Sequence, residues 1–511
     1  MSVTKGIVKK GDYFDSISLM IISKKIREME GVIDSAVVMG SAENLLILKA
    51  AGLYIEDFAN VSDSDLLLVL LGRDEEIASK RLNEAEELLL QSKKKRGTLS
   101  SEKNGSFAVT SLESAYKIMP SANLVVISTA GKFAYSQAFS ALTVGQNVML
   151  FSDNITIEEE LKLKLLAQKR QLLVMGPDCG TAIIGGVPLA FANSVRLGKI
   201  GVVGASGTGM QEVTSLIHNM GGGISHALGT GGRDIKEKIG GISFLQAFEM
   251  LEQDENTKVI LLVAKPPHQT VLEEIGKKVA SCKYPVVAVF LGATKEIVEK
   301  HHMIYGKTLE EGALLACRLV DPRAQLECNN DVTSIKNVTS GDKYIRALYS
   351  GGTFCYETQL ILQEAGISSL YSNTPASGIA TLANSNISQG NCIVDLGEDE
   401  FTKGRPHPMI DFSLRNRRIL EEIARPDTAL IILDLVIGHG ANLDPQREFI
   451  PTVVKAKKLA PHIPIICFVT GTDSDPQNRQ ELIKMLKESG VVVVFTNAQA
   501  AHLATKIIRG I

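Results

Sequence analysis

Apolar residues in this chain fall into short unbroken runs, and between the runs they recur at three- and four-residue spacing. Unbroken apolar runs mark strands buried on both faces, and the three-to-four spacing marks helices with one buried stripe. The runs at 124–128, 148–151 and 172–175 predict strands, with helices over 129–142 and 157–171 between them. The same alternation predicts strands at 199–203, 223–228, 258–264 and 285–290 and helices at 208–220, 243–252 and 270–280. Strands and helices in strict alternation argue for parallel, doubly wound sheets. Near the start, strands at 6–9, 31–39 and 65–71 alternate with helices at 16–30, 44–51 and 74–90. Three strands and three helices in that order predict a small α/β sandwich, with a ferredoxin-like fold as one reading.

Polar stretches divide the pattern. "QSKKKRGTLSSEKNGS" (91–106) reads as a linker, and "ECNNDVTSIKNVTSGD" (327–342) as a second gap. The segments are then 1–92, 107–197, 198–326 and 343–511. The last two share an ordered pattern. After the first strand each has Gly-Thr and then Glu four residues past the Thr: Gly207, Thr208 and Glu212 against Gly352, Thr353 and Glu357. Residues 256–264 then match 427–435, and 284–294 match 463–473. Two copies of one α/β domain is the simplest account.

Composition narrows the function classes. A net charge of −3 argues against a nucleic-acid surface, and the one dense basic run, Lys93–Arg96, reads as solvated linker. The 7 cysteines are scattered, with no Cys-x-x-Cys pair, which fits a reducing cytoplasm. The opening "MSVTKGIVKKGDYFDS" carries no signal-peptide core, and no uncharged apolar run reaches the ~18 residues of a membrane helix. The expectation is a cytoplasmic protein with no membrane or nucleic-acid partner.

The candidate chemistry starts at "GASGTGMQEV" (204–213), a Gly-rich turn between a strand and a helix. It is neither a Walker A motif nor a clean Gly-x-Gly-x-x-Gly, so a nucleotide loop is not supported. Ser206 or Thr208 would cap the helix, and such a start suits a phosphate or a carboxylate. "SGGTFCYE" (350–357) offers a second start, and facing repeats could aim both at one anion. "IGHGANLDP" (437–445) makes His439 and Asp444 candidates past a strand end, or a simple polar turn tip. In "DLGEDEFTKGRPHPMID" (395–411), Asp395, Glu398, Asp399 and Glu400 precede Lys403, Arg405 and His407. The spacing does not call for a metal ion, and the stretch reads as a loop, either solvated or binding. Cys179 has no evident His partner and reads as a buried structural thiol.

"MGPDCGTAIIGGVPLAFANSVRLGKIGVVGASGT" (175–208), with "GTGGRDI" (229–235) and "LQAFEMLEQDENTKVILLVA" (245–264), resembles the succinyl-CoA synthetase α subunit. With "YSGGTFCYE", "DEFTKGRPHPMID" and "LDLVIGHGANLDP", the whole chain resembles the acyl-CoA synthetase-like proteins of the FdrA type. The resemblance implies a Rossmann-like CoA-binding domain at 107–197 and two flavodoxin-like ligase domains, the second in the place of the synthetase β subunit. It puts Thr129, Ala130, Gly131, Lys132 and Phe133 with Gly176, Pro177, Asp178 and Cys179 on the CoA-binding face. It makes Ser206, Gly207 and Thr208 one phosphate cradle and Gly351, Gly352 and Thr353 the opposing one. It also links the chain to an oxamate carbamoyltransferase of anaerobic ureide (allantoin) breakdown that works with partner subunits.

The sequence departs from the synthetases in telling places. The Gly-His-Ala-Gly-Ala loop that carries their phospho-His is missing, although His301 and His302 lie nearby. Lys265 stands where the synthetases keep the Glu that orients that His, and Asp178 where they keep Asn. An ammonium there would attract phosphate and repel an imidazolium. No ATP-grasp segment is visible. The expectation is a subunit of an oligomeric enzyme that binds carbamoyl phosphate with Lys265 and holds oxamate or another carboxylate at Arg405 and His407. No cofactor is required, and CoA is an optional ligand. The alternatives are an acyl-CoA synthetase that borrows ATP-grasp from a partner, and a non-catalytic regulatory or scaffold protein.

Overall fold

The computed structural model describes residues 2–12, 14, 16–99, 111–129, 131–326, 343–402 and 406–510. They form two compact units, residues 1–121 with 399–406, and residues 122–398 with 407–511.

In the first unit Leu66–Gly72 is the central strand, paired antiparallel with Val3–Lys9 on one side and Val32–Met39 on the other. Its unbroken apolar run is explained by cores on both faces. Leu66, Leu68 and Leu70 pack with Phe14, Ile22, Ile26 and Ala78, while Leu67 and Val69 pack with Leu48, Leu53 and Phe58. Two parallel strands with an antiparallel one inserted between them is the split βαβ of the ferredoxin-like fold. The expected linker at 91–106 is corrected at its start: the helix after the central strand runs Glu75–Leu99, well past residue 90. No Pro or Gly interrupts the sequence before Gly97, and Lys, Arg and Gln are good helix formers. The rest of that stretch, and the gap at 327–342, lie outside the described residues.

The second unit holds three sheets. The smallest has three parallel strands, Leu124–Ile127, Asn147–Leu150 and Val174–Met175, linked through the helices Gly131–Thr143 and Ile157–Lys169. This is the βαβαβ half of a Rossmann arrangement. The stretch that follows is a hairpin, Thr181–Ile184 with Val187–Ala190. Its turn residues Gly185 and Gly186 both have positive φ, as a two-residue hairpin turn requires. The hairpin joins the next sheet, antiparallel to Ile224–Gly229.

The two seven-stranded sheets repeat one plan. In the first, the parallel strands lie in the order Ile224–Gly229, Leu197–Gly204, Val259–Ala264, Val286–Phe290, Ile304–Tyr305. In the second, the matching order is Asn391–Asp395, Tyr344–Tyr349, Thr428–Val436, Ile465–Thr470, Val492–Val494, with two short strands added beyond Asn391–Asp395. Both follow the flavodoxin-like order 2-1-3-4-5. The helices after the first strands, Gly207–Asn219 and Gly352–Glu364, pack against each other, and one apolar core runs through both halves.

The repeat also explains its two glutamates, which cross between the halves. Glu357 accepts the N–H of Leu309 at 2.8 Å, where the first half's last helix begins. Glu212 accepts from Thr470 Oγ1 at 2.5 Å and faces the N–H of Asn497, where the second half's last helix begins. Each half thus caps a helix of the other.

Candidate functional site

The strand Leu197–Gly204, buried from Ile200 onward, delivers Ser206 as the N-cap of Gly207–Asn219, and the Ser206 Oγ accepts from Gly209 N at 3.2 Å. Of the two capping candidates, Ser206 rather than Thr208 holds the position. The second helix begins at Gly351, which has no side chain to offer its first turn. The two starts meet head to head: the hydroxyls of Ser206 and Thr353 are hydrogen-bonded at 2.5 Å. A Cβ on Gly351 would lie 2.6 Å from Thr208 Cγ2, and one on Gly209 would lie 3.2 Å from Thr353 Cγ2. Glycine at both places is what lets the starts approach. Ser206, Gly207, Thr208, Gly351, Gly352 and Thr353 therefore share one place, with the N–H groups of two 13-residue helices directed at it.

Lys265 directly follows the strand Val259–Ala264, beside the topological switch point of the first sheet. Its ammonium lies 4.7 Å from the ring centre of Tyr356, on the second half's helix. Asp395 ends its strand under the second helix start. One oxygen accepts from Gly397 N at 2.9 Å, and the other lies 2.5 Å from where a Cβ on Gly352 would be. Burial pushes this carboxyl up to about 7, with Lys265 pulling the other way. Below it, Asp434 receives the N–H and hydroxyl of Ser350 and an ion pair from the buried Arg415 at 2.6 Å.

His407 reaches the same place. A Cβ on Gly397 would meet its Nε2 at 2.7 Å, and its ring lies 5.9 Å from that of Phe191. Burial, aided by the Arg415 guanidinium, pushes the imidazole down to about 4. The imidazole is thus held neutral, with its Nδ1 accepting from Met409 N at 3.2 Å. Its intended companion Arg405 lies outside the described residues, as does Ala130.

The loops assigned to CoA do converge. Ser152 Oγ donates to Thr129 O at 2.5 Å, and Ser152 O accepts from Asp178 N at 3.1 Å. Gly131 sits so close to Asp153 and Asn154 that a Cβ would be 2.4 Å from a carbonyl oxygen. Gly176 and Asp178 both have positive φ, and Pro177 follows a cis bond. Phe133 is 46% exposed. Cys179 is buried against the carbonyls of Thr181 and Gly229, and burial pushes its thiol up to about 12, so it is no nucleophile. Thr181 links this loop to the helix start, donating to Gly207 O at 3.4 Å.

Other candidates fall elsewhere. His301 packs on Gly276 of the helix Gln269–Ser281. His439 bonds Ser194 at 2.9 Å and its N–H reaches Ala192 O, which ties the halves together. Asp444 caps the turn Pro445–Glu448. Sequence reasoning grouped Asp395 with the acidic loop and missed its place. The signal was there: the apolar run of "NCIVDLG" ends in Asp, at the carboxyl end of a strand.

This fold and this junction define a succinyl-CoA synthetase-like protein of the CoA-ligase class. The family model described as CoA-ligase matches residues 348–507, and the one described as CoA binding domain matches residues 195–292. A third, described as AllF, heavy metal-associated domain, matches residues 1–105. YahF of Escherichia coli (strain K12) is 38% identical over 99% of both chains. The chain belongs to that family, the FdrA-type proteins. The alpha 1 subunit of an ADP-forming succinate–CoA ligase from Archaeoglobus fulgidus is 28% identical over 34% of this chain and 59% of that subunit. Among solved structures, an ATP citrate lyase from Methanothrix soehngenii, in complex with citrate and coenzyme A, is 15% identical, with TM-score 0.36 over 42% of this chain and 40% of that one.

The heavy-metal description does not fit the residues present. Residues 1–105 contain neither Cys nor His, so they offer a metal neither thiolate nor imidazole. Among the described residues no group of three or more His, Cys, Asp or Glu is placed to hold a metal ion. No described helix is long and apolar enough to cross a membrane.

Proposed function

We propose that this chain is a subunit of an enzyme acting on an acyl or carbamoyl phosphate, most specifically an oxamate carbamoyltransferase of allantoin breakdown. The observation that carries the reading is the head-to-head meeting of two helix starts at Ser206 and Thr353. Two aligned dipoles, free N–H groups and a nearby ammonium suit a phosphoryl group. Lys265 supports a phosphate that arrives already attached to its carbamoyl group, because it stands where the synthetases keep the Glu that orients their phosphoryl-relaying His. Transfer then needs only the phosphate held, the acceptor placed and the developing charge stabilised. Neutral His407, with Phe191 behind it, is a hydrogen-bonding wall for the acceptor. The AllF description of residues 1–105 supports the place in ureide breakdown.

A second reading, an acid–CoA ligase with its ATP-grasp on a partner chain, is favoured by the converging loops at Thr129–Phe133 and Gly176–Cys179. Thermal melting of the full chain with carbamoyl phosphate, CoA or ATP–Mg²⁺ separates the two. The transferase reading expects a higher midpoint with carbamoyl phosphate, and loss of that shift in Lys265→Ala. A shift with CoA alone would sink it and restore the ligase.

A further inference from the structure

The second helix start already has an anion beside it. Asp395 is 3% exposed, and its Oδ2 points at Gly352, the first residue of Gly352–Glu364. Among the described residues no donor reaches that oxygen; Gly397 N serves only Oδ1. A phosphoryl group on the same helix start and an ionised Asp395 would be two negative charges in one buried place. They can coexist cheaply only if a proton lies between them.

We propose that Asp395 is the proton carrier of this site, taking the proton of the attacking group and passing it to the departing phosphate. This rests on the acyl or carbamoyl phosphate reading above. The attacking nitrogen forms a C–N bond to the carbamoyl carbon as the carbon–oxygen bond to phosphate breaks. The N–H proton goes to Asp395 Oδ2 and from there to the phosphate oxygen, which leaves as hydrogen phosphate. A thiol acceptor balances the same way, with S–H in place of N–H.

The surroundings fit an exchanging group. Burial raises the Asp395 carboxyl to about 7, Glu398 and Asp434 add to the rise, and Gly397 N–H and Lys265 oppose it. Cys355, on the facing helix, is protonated, its thiol pushed up to about 12. His407 is neutral and stands across Gly397 from the carboxylate. Among the described residues, Asp395 is thus the group facing this place that titrates near neutrality.

The test uses sulfate, which has the shape of a phosphoryl group and does not itself titrate near neutrality. Calorimetry at about pH 8 in two buffers of different ionisation heat counts the protons taken up on binding. The wild-type chain is expected to take up about one proton per sulfate, and Asp395→Asn to bind sulfate with none. Asp395→Asn is also expected to lose at least ~100-fold in carbamoyl phosphate turnover with oxamate. Sulfate binding to wild type without proton uptake overturns the role of Asp395 and leaves the anion site standing, whether or not the variant folds. An Asp395→Asn chain that turns over at the wild-type rate overturns it too. No sulfate binding to wild type overturns the anion site and the proposed function with it.

Discussion

Single residues decide how closely the two helix starts come together. Gly351 is the clearest case, because a Cβ there would fall 2.6 Å from Thr208 Cγ2 and 2.9 Å from its Oγ1. Gly351→Ala is expected to cost ~1–3 kcal/mol, the usual range for overpacking, and to lower the melting midpoint by several degrees. A denaturant titration that shows no loss would mean the starts can part without strain. Ser206, Thr208, Gly351 and Thr353 were legible in the sequence, because Gly-Ser/Thr turns after apolar strands have a recognisable chemistry. Asp395 and His407 were not legible as partners. They are 12 positions apart in a loop full of charge, and only the fold puts Gly397 between them. The uncharged state of His407 was beyond reach as well, since it comes from burial and from Arg415.

At the scale of elements, strands and helices of the doubly wound parts followed the apolar runs closely. Turn chemistry was less well read. "TAIIGGVPLA" holds two apolar runs around Gly-Gly, a hairpin signal that the strand-and-helix alternation passed over. The Lys-rich end of Glu75–Leu99 misled in the opposite direction, because a basic run is as good a helix as a linker. The matched glutamates were visible as a repeat but their purpose was not: capping across the halves is a tertiary matter. Glu357 accepts from Leu309 N with one oxygen and from Asn497 Nδ2, at 2.9 Å, with the other. A Gln amide cannot accept at both ends, so one donor would face another in a buried place. Glu357→Gln is expected to destabilise by ~1–3 kcal/mol in chemical unfolding; an unchanged midpoint would show that the cap contributes little.

For the whole molecule these buried carboxyls set a pH dependence. Burial raises Glu212 to about 8, Glu357 to about 7 and Asp395 to about 7, all far above the values they have when unfolded. Between the unfolded and folded values the native chain holds protons that the unfolded chain has released. Stability from these groups is therefore full below their ordinary values of 3.8 to 4.5 and is lost progressively as pH rises from there through 7 to 8. The melting midpoint should fall from about pH 5 to about pH 8, and Glu357→Gln should flatten the slope. A midpoint that climbs over that range would mean these carboxyls are ionised and paired in the folded state.

The meeting of Ser206 with Thr353 has a genetic side. In a two-subunit enzyme each helix start belongs to its own polypeptide, and a faulty partner can be exchanged for a sound one. Here both starts lie on one chain and mature together as it folds. Dilution cannot separate them. Two alleles, one damaged at each start, would each build a broken junction, and neither product could rescue the other by mixing.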